Sequence, residues 1–183
     1  TRVRLALVVA DAEAVYPIRI DPPFPDEDWC SKGGIGGANS TVHAAVMDGS
    51  GHLIIGGSFT LVGTVPANRI AKWDGDQWVT LGSGPGSEWD GPVRALAVSG
   101  GHVYAGGSFT NIGDIAANGV AMWDGSAWSA LGSGIEGDPP WVYALAASGD
   151  DLYVGGNFTN AGGVAANHVA TWDGAAWSAL GSG

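Results

Sequence analysis

Asp74, Asp124 and Asp173 each stand second in a Trp-Asp-Gly triplet. Three carboxylates at one repeated position could ring a calcium ion. Calcium takes about six to eight oxygens from a compact loop, whereas each triplet brings one carboxylate. The triplet is therefore read as a turn, in which Asp bonds the backbone that follows and Gly takes a left-handed conformation. The histidines, His43, His52, His102 and His168, lack the His-x-x-x-His spacing of a zinc site. No Gly-x-Ser-x-Gly elbow offers a serine nucleophile. The glycine pairs are not phosphate loops, because no Lys follows them and no helix opens after them. Glu88 and Asp90 flank Trp89, and Glu136 and Asp138 precede Trp141. Acid beside aromatic could bind or hydrolyse a sugar, but these two loops differ in length and order, so solvated loop acids are the plainer reading. Trp89 and Trp141 are kept as candidate ligand contacts. No catalytic, cofactor-binding or metal-binding residue is assigned, and the chain is read as not an enzyme.

Composition narrows what could position such residues. Of 183 residues 32 are Gly, and only 14% are charged, against roughly 7% Gly and about 25% charge in ordinary soluble domains. Gly costs about 1 kcal/mol relative to Ala inside a helix, so an all-β, turn-rich chain is expected. Apolar residues make up 45% of the chain, with nine Trp, which is too hydrophobic for disorder. The formal charge is −11, and no Lys or Arg follows Arg94. Nucleic-acid binding draws on clustered cations, so no nucleic-acid partner is expected. No apolar run of 18 residues suggests membrane insertion. Cys30 is the sole cysteine and excludes an internal disulfide. The chain opens at Thr1 without an initiator Met or a signal-like apolar run, which is read as a processed product or a piece of something longer.

Repeats dominate the rest of the chain. Gly56-Gly57-Ser58-Phe59-Thr60 returns from Gly106 and, as Gly-Gly-Asn-Phe-Thr, from Gly155. Trp73-Asp74-Gly75 returns as Trp123-Asp124-Gly125 and Trp172-Asp173-Gly174, steps of 50 and 49 residues. Leu81-Gly-Ser-Gly84 returns at 131 and 180. Each unit reads as four short strands, starting near Val42, Val93 and Val142. The hairpin turns Asp48-Gly-Ser-Gly51, Ser99-Gly-Gly101 and Gly149-Asp-Asp151 suit positive φ. The Trp residues on either side of each Asp-Gly turn are expected to meet in the core.

Four strands in about 50 residues, with a Gly pair after the second and Trp later, resemble a kelch-like propeller blade. Residues 142–174, from Val-Tyr-Ala-Leu-Ala to Val-Ala-Thr-Trp-Asp-Gly, are similar to the tandem β-propeller repeats of large bacterial surface and secreted proteins. The resemblance covers about residues 41–183 and implies three propeller-type blades, at about 41–91, 92–140 and 141–183. It implies no single activity. Closed propellers have about four to eight blades, so three fall short of a ring.

Residues 1–27 differ from the repeat. Val3, Leu5, Leu7 and Val9 alternate with Arg2, Arg4, Ala6 and Val8, a half-buried strand pattern. A second alternation carries Tyr16, Ile18 and Ile20, and Pro17 suits an edge strand. Residues 21–28 hold three Pro and four acids and read as a linker. Trp29, thirteen residues before Val42, stands much as Trp128 does before Val142, like the fourth strand of a missing upstream blade. Strands lacking an internal partner are association sites. The expected function is a structural module of a bacterial extracellular or cell-surface assembly, joined to other copies of itself or to flanking modules of a longer chain. The arm strands would insert into the next copy. The alternatives are a glycan- or protein-binding adhesin, or the accessory propeller of a secreted enzyme.

Overall fold

A computed structural model describes residues 36–86 and 91–181. The arm residues Val3, Leu5, Leu7, Val9, Tyr16, Ile18 and Ile20, the linker, Trp29 and the loop holding Trp89 lie outside the described residues. Within them the protein is all-β and every strand pairing is antiparallel.

The first unit runs β1 (Val42–Met47), β2 (Leu53–Gly57), β3 (Leu61–Val62), β4 (Val65–Pro66), β5 (Ile70–Trp73) and β6 (Trp78–Thr80). The second repeats it as β7 (Val93–Ser99), β8 (His102–Gly107), β9 (Asn111–Ile112), β10 (Ile115–Ala116), β11 (Val120–Trp123) and β12 (Trp128–Ala130). After a short β13 (Ile135–Glu136) the third follows: β14 (Trp141–Ser148), β15 (Asp151–Asn157), β16 (Asn160–Ala161), β17 (Val164–Ala165), β18 (Val169–Trp172) and β19 (Trp177–Ala179). The longer strands of each unit form one four-stranded sheet in chain order: β1-β2-β5-β6, β7-β8-β11-β12 and β14-β15-β18-β19. The two short strands of each unit form a side hairpin that the four-strand reading did not include. Each hairpin follows a fully buried Phe, at 59, 109 or 158, and turns one buried side chain inward: Val62, Ile112 or Ala161.

Successive sheets meet through one repeated joint. A Cβ added to Gly56 would lie 2.5 Å from Val93 Cγ1, and one added to Gly106 would lie 2.5 Å from Val142 Cγ1. The first glycine of each pair thus leaves room for the valine that opens the next sheet. Val93 and Val142 are wholly buried there. At the far end of the joint an indole fills the gap. Trp128 Nε1 donates to the Leu81 carbonyl at 2.7 Å, and Trp177 Nε1 to the Leu131 carbonyl at 2.8 Å. Between these anchors lie Ile54, Ile70, Val103 and Ala121 at the first joint, and Tyr104, Val120, Leu152 and Ala170 at the second. The side hairpins add a stitch: Gly113 N–H donates to Gly84 O at 2.7 Å, and Gly162 N–H to Gly134 O at 2.8 Å.

The first unit has its own version of that stitch. Gly63 N–H donates to Gly37 O at 3.1 Å, and Ala38 bridges Val62 as Ile135 pairs with Ala161. Asn39 locks it: its Oδ1 accepts from Thr60 N–H and Leu61 N–H at 2.9 and 3.1 Å. Residues 37–39 therefore take the place that the tail of a preceding unit occupies in the other two copies.

Two substitutions probe the joint by urea unfolding. Gly106→Ala forces a methyl against Val142 and should destabilise by about 1–3 kcal/mol, the usual cost of overpacking a core. Trp128→Phe keeps the ring but strands the buried Leu81 carbonyl, and should cost about 1–3 kcal/mol. An unchanged midpoint in both would mean that the joint carries little of the stability.

Candidate functional site

The second glycine of each pair serves a different purpose. In β1, β7 and β14 the register against the next strand slips by one residue, between Val42 and Ala44, Val93 and Ala95, and Val142 and Ala144. A Cβ on Gly57, Gly107 or Gly156 would run into the carbonyl of Thr41, Pro92 or Trp141, so only glycine admits this bulge. The extra residue in the three copies is His43, Arg94 or Tyr143. Bulges free a side chain from the ladder and re-aim it, and they recur beside functional sites. The valine before the bulge is the same in all copies, while the bulge residue changes from unit to unit.

Two of these residues come together. The Arg94 guanidinium carbon lies 5.7 Å from the Trp141 ring centroid and 5.8 Å from that of Tyr143. The two rings meet edge to face, 6.0 Å apart at 76°. Tyr143 is half-exposed, whereas Arg94 Nε is buried without a hydrogen-bond partner. An arginine against two aromatic faces is attracted by about 0.5–2 kcal/mol, more as water is excluded. The cluster presents a cation and two rings, a combination suited to the carboxylate and the apolar face of a sugar. Trp141 is thus placed in a cluster with Arg94, while Trp89, paired with it in the sequence reading, lies outside the described residues. The missed partners were Arg94 and Tyr143. Their signal was available, since they interrupt an otherwise repeated strand. His43, the bulge residue of the first unit, bonds Ser58 Oγ through Nε2 at 2.9 Å.

The three Trp-Asp-Gly aspartates are committed to their turns. Asp74 Oδ1 accepts from Asp76 and Gln77 N–H, Asp124 Oδ1 from Ser126 and Ala127 N–H, and Asp173 Oδ1 from Ala175 and Ala176 N–H, all at 2.7–3.0 Å. Gly75, Gly125 and Gly174 follow with φ of 106°, 102° and 95°. The flanking indoles, Trp73 with Trp78, Trp123 with Trp128 and Trp172 with Trp177, face each other across the strands at 5.4–5.5 Å. They meet edge-on or tilted, as ring quadrupoles favour.

Among the described residues one charged network occurs, and it belongs to the first unit. Asp48 Oδ2 accepts from Lys72 Nζ at 2.8 Å and contacts His52 Nδ1 at 3.1 Å, and its Oδ1 accepts from Ser50 and His52 N–H at 2.9 Å. Burial works against its charge, but the Lys72, His52 and Ser50 donors outweigh that and hold the carboxyl well below the usual carboxylate range. Ser99 and Ser148 take the place of Asp48 in the other units, and Met122 and Thr171 that of Lys72. The network pins one hairpin. Among the described residues no three His, Cys, Asp or Glu side chains gather where they could hold a metal ion.

Asp124 offers a pH test. The Ala127 and Ser126 N–H groups and the Ser126 hydroxyl lower its pKa to about 2, against about 3.9 when unfolded. Its folded pKa is the lower one, so its contribution is complete above about pH 4 and is lost as pH falls towards 2. Asp124→Asn keeps an acceptor that cannot titrate. Its unfolding midpoint should fall less steeply than that of the wild type between about pH 4 and 2, and equal slopes would refute the assignment.

No protein-family model matches this chain and no curated protein matches it, so its task has to be read from the repeat and the geometry of its joints.

Proposed function

We propose that this chain is a non-enzymatic structural module of a bacterial extracellular or cell-surface assembly, its three sheets acting as propeller-type blades of kelch-like kind. The supporting observation is an asymmetry of cover. β7 lies between β1 and β14 and is buried or half-buried along its length, while β1 and β14 leave alternate residues exposed. The outer faces of the first and third sheets resemble the faces that the joints cover. Such faces favour association with further copies or with flanking modules. In the reading that gives the arm a role, its alternating strands add to a neighbouring copy and build a head-to-tail fibre. Deleting residues 1–20 should then abolish filament growth seen by electron microscopy, and a truncated chain that still forms filaments overturns that route.

The Arg94, Trp141 and Tyr143 cluster favours a second reading, a module that binds acidic glycans or protein carboxylates. On a glycan array the wild type should then bind sugars bearing carboxylates, and Arg94→Ala with Trp141→Ala should lose those signals. An array without hits removes the glycan form of the reading.

A further inference from the structure

The two open faces are the two halves of one joint. At the covered joints the receiving face carries Ile54, Ile70 and Leu81 in the first sheet, and Tyr104, Val120 and Leu131 in the second, all buried. The same positions in the third sheet are Tyr153, Val169 and Leu180. Val169 is 43% exposed and Leu180 45%, against 0% for Val120 and 2% for Leu131. The notch is present as well. Gly155 stands where Gly56 and Gly106 stand, but a Cβ there would meet nothing closer than Ala144 Cβ at 3.7 Å. Among the described residues no valine fills it.

The inserting half is found on the first sheet. Val93, Val103 and Trp128 enter the first joint, and Val142, Leu152 and Trp177 enter the second. Their counterparts are Val42, Leu53 and Trp78. Val42 is 43% exposed, whereas Val93 and Val142 are fully covered. Residues 37–39 already hold the β3–β4 hairpin, so an incoming partner needs to bring only a receiving face. Valine, Trp and Gly notch are therefore all present, on opposite ends of one chain.

We propose that the outer face of the third sheet receives the outer face of the first sheet of a second copy, with Val42 seated over Gly155, and that two chains close on each other through two such joints. This rests on the proposal that the chain associates with its own copies, and it names the surfaces. Head-to-tail contacts form a ring when the rotation closes. Each joint is a wedge, with the valine of a first strand over the glycine of the facing second strand and an indole at the fourth. Two chains give six sheets, inside the range of about four to eight that closed propellers adopt, while three chains give nine. In the pair, Trp78 Nε1 of one copy donates to the Leu180 carbonyl of the other.

The test is the mass of the full chain by analytical ultracentrifugation, with three samples beside the wild type. Gly155→Leu fills the notch from a site where an added Cβ makes only ordinary van der Waals contacts, 3.7 Å from Ala144 Cβ and 3.9 Å from the His168 carbonyl, so the chain's own fold is left intact. Val42→Lys removes the inserting group. The wild type should have the mass of two chains, and each variant that of one, with unchanged circular dichroism. An equimolar mixture of the variants retains one intact joint and should recover pairing. A wild type that is a monomer overturns both this inference and the proposal beneath it. Association that survives Gly155→Leu, or that proceeds through odd-numbered oligomers or the arm-built fibre, overturns the closed pair alone.

Discussion

A valine methyl seated over a glycine Cα sets the distance between one sheet and the next. Any side chain on Gly56 or Gly106 would collide with that valine, and cores have no slack to absorb a misplaced methyl. Once the first strands are in register, the other contacts of the joint follow. The indole reaches the leucine carbonyl, the hairpin tip reaches the segment after it, and the apolar faces between them close. A buried carbonyl without its donor is costly, so the tryptophan cannot drift while the valine stays. The joint is thus held at both ends, by shape at one and by a hydrogen bond at the other.

The same strand that carries the joint also carries its variation. Val42, Val93 and Val142 face the preceding sheet's glycine or, for Val42, lie open, and the next residue in each strand leaves the ladder through a bulge. The glycine pair separates two demands. Its first member accommodates the neighbouring sheet, and its second makes the bulge possible. His43, Arg94 and Tyr143 can therefore differ without disturbing the packing one residue away. A repeat chain gains chemical individuality at such a position at little structural cost, and Arg94 against a touching pair of aromatic rings is the outcome in this protein.

Much of this architecture is legible in the sequence alone. Anchors spaced by 50 and 49 residues delimit the units, and Asp-Gly pairs mark turns whose side chain and φ are both dictated locally. What stayed hidden was short or non-local. Strands of two residues, such as Leu61–Val62 and Val65–Pro66, are too brief to show alternation. A bulge shifts the alternation by one: comparing the copies singles out Arg94 as a variable position, but its release from the ladder shows only once its partner strand is known. Arg69 and His168 adopt φ of 65° and 66°, where Gly119 stands in the other copy. Left-handed backbone is uncommon for such residues, and only the glycine copy hinted at it. The cluster of Arg94 with Trp141 and Tyr143 needed the two sheets to be juxtaposed, which spacing along one chain cannot convey.

Because both internal joints share the same anchors, a glycine under a valine and an indole on a leucine carbonyl, each sheet meets its neighbours in a common geometry. Stability in such an array approximates a sum of unit terms and nearest-neighbour terms. Duplicating or deleting one whole repeat by recombination leaves the anchors of every remaining joint in place, while the side chains between them are matched anew. A single exchange at the glycine of one joint has no such freedom, since the valine facing it belongs to a different repeat and would have to change in step. Length is therefore the variable that evolution can adjust most easily in this chain, and the glycine–valine pair among those it can adjust least.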